Sequence, residues 1–142
     1  MGGVSVPHDM GLEGHSDADV LLHAITDAVL GALALGDLGK HFPSSNPEYK
    51  GISSIALLER AMKLVAEKGF GVNNLDSVII AERPMMAPYV DAMRQNIAKA
   101  VGTAVDNVSV KATTSERMGF TGRGEGIAAQ AVVTLTVVGG KP

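Results

Sequence analysis

The sequence contains no cysteine and no tryptophan. Without cysteine there is no disulfide framework and no thiolate metal site, so any metal has to be held by His, Asp or Glu. Only two Tyr and three Phe stand beside 17 Gly, so the core has to be built from small aliphatic side chains. That composition suits close helix–sheet packing and assembly through aliphatic surfaces. No apolar run approaches the length needed to cross a bilayer. A net charge of −3 leaves no broad basic footprint for nucleic acid. The opening Met1-Gly2-Gly3-Val4-Ser5-Val6 has neither the basic start nor the apolar core of a signal peptide. The cytoplasm, or an organelle after loss of a transit peptide, is the expected location. At 142 residues, 46% hydrophobic and 19% charged, the chain has the length and apolar content of one globular domain over 1–142.

The stretch from His15 to Gly36, HSDADVLLHAITDAVLGALALG, reads as a long helix. His15, Asp19, His23 and Asp27 recur every four residues. At about 100° per residue they form one polar stripe on an otherwise apolar cylinder. Ser16 or Asp17 is the expected cap, and Gly36 and Gly39 the expected stop. Burying such groups unpaired is costly, so the stripe needs partners. One reading places an anion against His15 at the helix entrance and a metal on His23, with Asp19 or Asp27 orienting the imidazole. The other makes His23 a core histidine bonded to Asp27. Spacing alone leaves both open.

The remaining chain alternates helices and strands. Residues 1–7 read as the tail of a strand and 37–52 as a long, mobile loop. Ile55–Lys68 and Tyr89–Val101 have helical periodicity, and Val72–Arg83, Val108–Thr113 and Ile127–Val138 have strand character. The class is therefore α/β or α+β. The second candidate is KATTSERMGFTGRGEG, residues 111–126, where a strand ends in two hydroxyls and runs into a Gly-rich turn before the last strand. Hydroxyls and backbone N–H groups there can hold phosphate. Glu116 can hold a hard divalent cation together with phosphate oxygens, and Arg123 can fork onto phosphate or form a surface ion pair. Asp37-Leu38-Gly39 offers either a ribose-binding carboxylate or a simple turn. At Ala81–Ala87 (AERPMMA) a strand ends in a turn whose backbone could read a base edge.

Taken together, HSDADVLLHAITDAVLGALALGDLGKHFP, the loop ending in Tyr49-Lys50-Gly51, and VKATTSERMGFTGRGEGIAAQAV resemble the 2-C-methyl-D-erythritol 2,4-cyclodiphosphate synthase family along essentially the whole chain. The resemblance implies an α+β sandwich: a mixed sheet with helices on one face, assembled as a homotrimer with active sites between subunits. It implies a phosphorus–oxygen lyase of the non-mevalonate isoprenoid pathway. Such an enzyme converts 4-diphosphocytidyl-2-C-methyl-D-erythritol 2-phosphate into the 2,4-cyclodiphosphate and releases CMP, using Zn²⁺ together with Mg²⁺ or Mn²⁺. By position, His23 matches the helix-borne zinc ligand. His15 and Ser16 match diphosphate contacts, and Asp37 and Gly39 the ribose turn. Ala81, Glu82, Arg83, Pro84, Met85, Met86 and Ala87 match the cytosine pocket. Thr113 and Thr114 match phosphate contacts, with His15 and Thr114 stabilising the transferring phosphorus, and Glu116 matches the Mg²⁺ ligand. Phe120, Arg123 and Glu125 fall near the trimer axis, where some members hold an isoprenoid diphosphate.

Three departures accompany the resemblance. The family's first strand carries an Asp-x-His pair that supplies two more zinc ligands, and the present sequence begins at Met1-Gly2-Gly3, just past where that strand would end. Ser44, Ser45 and Asn46 replace a more acidic stretch. Met85 stands where many relatives carry Lys. The alternative expectation is a non-catalytic trimer that binds cytidine nucleotide or isoprenoid diphosphate. A separated half of a fused cytidylyltransferase–cyclase is a weaker one.

Overall fold

The computed structural model describes residues 1–14 and 16–139. Along them run α1 (Val20–Gly31), α2 (Leu38–His41), α3 (Ser54–Glu67), β1 (Phe70–Ile80), α4 (Val90–Val101), β2 (Val108–Thr113), α5 (Gly119–Gly122) and β3 (Ala128–Val137). The three strands form one mixed sheet in the order β2-β1-β3. β1 and β2 are parallel, and the chain passes between them through α4, the crossover that a parallel pair requires. β3 pairs with β1 antiparallel.

Alternation along the strands sorts their side chains between two faces. Leu75, Ser77 and Ile79 of β1 are buried, and Ala129, Ala131, Val133 and Leu135 of β3 join the same core. Leu21, Leu22, Ile25 and Val29 of α1 are completely buried against this face. Each such side chain contributes roughly 1.5–3 kcal/mol by leaving water. α1 lies on β3 and α3, while α4 lies on β2 and α3. A second, smaller cluster joins Leu30, Phe42, Leu57 and Ala61. There Phe42 meets Tyr49 edge-on at 5.6 Å, which docks the 37–52 segment onto α1 and α3. The opposite sheet face carries half-buried Val78 and Ile80 with exposed Gln130, Val132 and Thr134. The helices on one face and the mixed sheet agree with the α+β reading.

Three local expectations are corrected. α1 starts at Val20 rather than near Ser16, because Ala18 takes a left-handed φ of 56° that interrupts a helix; Asp19 then caps it by accepting the Leu22 N–H at 3.1 Å. α1 also ends before Gly36. Ala34, at φ 55°, is the left-handed residue. The Leu35 N–H returns to the Leu30 carbonyl at 3.0 Å, and the Ala34 N–H to that of Gly31 at 3.0 Å. This is the paired closure of a Schellman motif. Finally, residues 1–7 hold no strand. Gly2 and Gly3, at φ 58° and 73°, form a turn closed by the Val4 N–H on the Met1 carbonyl at 2.9 Å.

Candidate functional site

The polar stripe on α1 divides among three duties. Asp19 is buried and acts as a staple: besides capping α1, its two oxygens accept the Gly2 and Gly3 N–H groups, each at 2.9 Å. Asp27 accepts the Leu38 N–H at 2.7 Å and so fixes the start of α2. Neither aspartate orients His23, contrary to the expectation from spacing, because backbone donors from other segments reach them first. His15 lies outside the described residues. His23 places Nε2 3.0 Å from Ser16 Oγ and 2.9 Å from Ser54 Oγ.

Ser54, the first residue of α3, is fully buried, and it donates twice to Asp17: its N–H to Oδ2 at 2.9 Å and its hydroxyl to Oδ1. With the Ser54 proton committed to Asp17, His23 Nε2 has to be the donor toward Ser54 Oγ. Burial pushes the Asp17 carboxyl up, but the hydrogen bonds from Ser54 and from the Asp19 N–H, with the nearby His23, outweigh it and hold the group below its ordinary value. Ser53, the residue before α3, makes no side-chain cap bond; Asp17 supplies that acceptor from outside the helix. Among the described residues no group of three His, Asp or Glu side chains is placed to hold a metal ion. The residues around His23 therefore do not by themselves fit a zinc site.

The second group gathers where β1 and β2 end. Ile80 stands beside Thr113 in the parallel register, and the Ala81 N–H continues the ladder onto the Thr113 carbonyl at 2.9 Å. The 81–87 turn and the 114–126 segment thus leave the sheet side by side. In the first, Ala81 and Met86 are buried and Met85 is exposed. In the second, Thr113, Thr114 and Glu116 are exposed. The Thr114 hydroxyl accepts the Glu116 N–H at 3.2 Å, and the Glu82 carboxylate accepts the Arg117 N–H at 3.0 Å. An exposed carboxylate next to two hydroxyls suits a hard cation that keeps phosphate oxygens among its ligands.

Of the two readings open for Arg123, a phosphate fork and a surface ion pair, the structure shows the ion pair: it grips Glu125 through Nε at 2.9 Å and Nη2 at 3.2 Å. Phe120 is exposed beside it. A cavity of about 1130 Å³ joins part of this sheet end, including Glu82, Arg83, Pro84, Met86 and Arg123, to Asp17 and Asp19 of the helix side. Asp37 and Gly39 do not line it. Asp37 caps α2 by accepting the Lys40 N–H at 2.9 Å.

Sequence reasoning singled out 81–87 and 111–126 separately. It missed that the Glu82 side chain ties them together and that Asp17 serves α3. Both contacts span more than thirty residues, and no local pattern announces them.

The YgbB family matches residues 1–136. A 2-C-methyl-D-erythritol 2,4-cyclodiphosphate synthase of Desulfitobacterium hafniense is 58% identical over 138 residues, which cover 97% of this chain and 87% of the relative. Among solved structures, the bifunctional IspDF of Campylobacter jejuni superposes with a TM-score of 0.92 at 41% identity, covering 96% of this chain and 37% of that one. IspF of Plasmodium falciparum, in complex with CDP, gives a TM-score of 0.78 at 29% identity, covering 89% of this chain and 76% of that one.

Proposed function

Because this chain belongs to the YgbB family, whose close relatives are 2-C-methyl-D-erythritol 2,4-cyclodiphosphate synthases, we propose that it converts 4-diphosphocytidyl-2-C-methyl-D-erythritol 2-phosphate into the 2,4-cyclodiphosphate and CMP, as a phosphorus–oxygen lyase of the non-mevalonate pathway. The observation that carries the reading is the juncture of Ala81 with Thr113, which sets the 81–87 turn beside the segment that carries Thr113, Thr114 and Glu116. CDP complexes are known for two structural relatives.

The chemistry asks little of a general base. An oxygen of the substrate's own 2-phosphate attacks the diphosphate phosphorus that carries the methylerythritol. A new P–O bond forms, the bond from that phosphorus to the oxygen bridging it to the CMP phosphate breaks, and CMP leaves with the electron pair. What the protein supplies is a folded substrate and fixed donors where charge builds up. The 81–87 turn (Ala81, Glu82, Arg83, Pro84, Met85, Met86, Ala87) receives the cytosine, largely through its backbone, and Asp37 and Gly39 receive the ribose. Thr113 and Thr114 hold phosphate oxygens. Thr114 and His15 stabilise the transferring phosphorus, with Ser16 on the diphosphate. Glu116 would hold Mg²⁺ or Mn²⁺, which neutralises phosphate charge when bound. A zinc ion on His23 would need two further donors that the described residues do not place beside it, so no step is assigned to it.

Asp37 and Gly39 do not line the cavity at the sheet end, which supports a homotrimer whose sites are shared between subunits. The sheet face with Val78, Ile80 and exposed Val132 is the apolar surface available for that contact. An isoprenoid diphosphate on the trimer axis, near Phe120, would have to compete with Glu125 for the Arg123 fork. Residues 1–142 are taken as one domain. Among the described residues no helix is long and apolar enough to cross a membrane. The test is CMP release from the cytidylyl substrate with Mg²⁺ and Zn²⁺ supplied. Release that follows enzyme concentration supports the reading, and its absence overturns it.

A further inference from the structure

The turn that carries Glu116 is strained. Glu116 and Arg117 are consecutive non-glycine residues in the left-handed region, at φ 53° and 63°. Such conformations persist only where the surroundings enforce them, and they gather at functional sites.

Three contacts enforce this one. The Thr114 hydroxyl accepts the Glu116 N–H at 3.2 Å. The Glu82 carboxylate reaches across from the 81–87 turn and accepts the Arg117 N–H at 3.0 Å. Gly122 presses against the back of the turn: a Cβ there would lie 2.2 Å from the Arg117 carbonyl carbon and 2.7 Å from its Cα. Of the three, only Glu82 comes from the other strand end. Its charged oxygen makes the stronger kind of acceptor, and Arg117 is the residue directly after the carboxylate that would meet the cation.

From this geometry we infer that Glu82 is a positioning residue. Its side chain holds the strained Glu116–Arg117 turn, so that the segment receiving the base and the carboxylate receiving the divalent cation are set by a single contact. Glu82 touches the Arg117 amide and acts on the cation only through Glu116. Base recognition and cation placement are thereby coupled, since a nucleotide that seats the 81–87 turn also fixes the anchor of the cation ligand. The inference rests on the functional reading above.

The experiment is calorimetric titration of Mn²⁺ into the full chain with CDP present, for wild type, Glu82→Ala and Glu82→Gln, with amide hydrogen exchange followed at Arg117. Gln retains a carbonyl acceptor for the Arg117 N–H, whereas Ala does not. Glu82→Ala is expected to bind Mn²⁺ about tenfold more weakly, the scale of one lost hydrogen bond to a charged group, and to exchange the Arg117 amide faster. Glu82→Gln is expected to fall between wild type and Glu82→Ala in Mn²⁺ affinity, because a weaker, neutral acceptor remains. Wild-type Mn²⁺ affinity in Glu82→Ala overturns this proposal alone. So does equal weakening in both variants, since that would mean the Glu82 charge, rather than its hydrogen bond, matters. Failure of wild type to take up Mn²⁺ with CDP overturns the functional reading, and the proposal with it.

Discussion

Asp17 caps a helix that begins 37 residues later in the chain: its Oδ2 accepts the Ser54 N–H at 2.9 Å while its other oxygen takes the Ser54 hydroxyl. The same hydroxyl accepts from His23, so one carboxylate sets the start of α3 and the environment of the α1 imidazole. Asp17→Ala removes the only side-chain acceptor at that helix start among the described residues and leaves the buried Ser54 hydroxyl proton without its acceptor. The expected cost is about 1–2 kcal/mol in urea unfolding. Asp17→Asn, which keeps one acceptor oxygen, is expected to lose less. Equal stability of wild type and Asp17→Ala would remove this cap from the account.

The same contact sets a pH dependence. The folded Asp17 carboxyl lies below its ordinary value of 3.8, so folding favours the ionised form. That contribution is present in full above the unfolded value and is lost as pH falls through the lower folded one. Stability should therefore fall as pH drops below about 4, with a shallower slope in Asp17→Asn. Denaturation curves across that range compare the two, and parallel slopes would speak against it.

Gly122 has no room for a side chain, because a Cβ would meet the Arg117 backbone rather than a movable side chain. Gly122→Ala has to shift the Glu116 turn. It should lower the apparent Mg²⁺ affinity in the turnover assay at least as much as Glu116→Gln does, and also reduce the melting temperature. A Gly122→Ala protein with a wild-type Mg²⁺ requirement would show that the turn is not the cation's seat.

The uncovered sheet face makes a separate claim. Val132 is 69% exposed on β3 next to Asp76 of β1, itself paired with Lys111 at 2.8 Å. If this face joins copies of the chain, Val132→Asp places a charge against Asp76 and its counterparts. The expected result in sedimentation velocity is a shift from trimer toward monomer. A wild-type monomer, or a Val132→Asp trimer, would refute that interface.

Much of this was legible in the sequence where a local period decided it. The alternation in Val108–Thr113 gave β2 to the residue, and the apolar spacing in 55–68 gave α3 within one position. α1 was misread at its start because Asp17 and Asp19 are equally good caps by type. Only Ala18's left-handed backbone and the pull of Ser54 on Asp17 decide between them. Its end was misread because Ala34, not a glycine, takes the left-handed position. The residue types at 81–87 and 111–126 were legible as two separate candidate site segments. Their union through Glu82 and Arg117 was not, since it depends on the parallel register that puts Ile80 beside Thr113. The Arg123 fork could be assigned to phosphate or to Glu125 with equal chemical sense, and the structure pairs it with Glu125.

The most direct test of the central claim is ³¹P NMR of 4-diphosphocytidyl-2-C-methyl-D-erythritol 2-phosphate incubated with the protein, Mg²⁺ and Zn²⁺. Intramolecular attack predicts that CMP and a cyclic diphosphate appear together, one for one, as the 2-phosphate monoester signal disappears. CMP appearing with the monoester signal intact would mean hydrolysis by water instead of cyclisation, and would contradict the account.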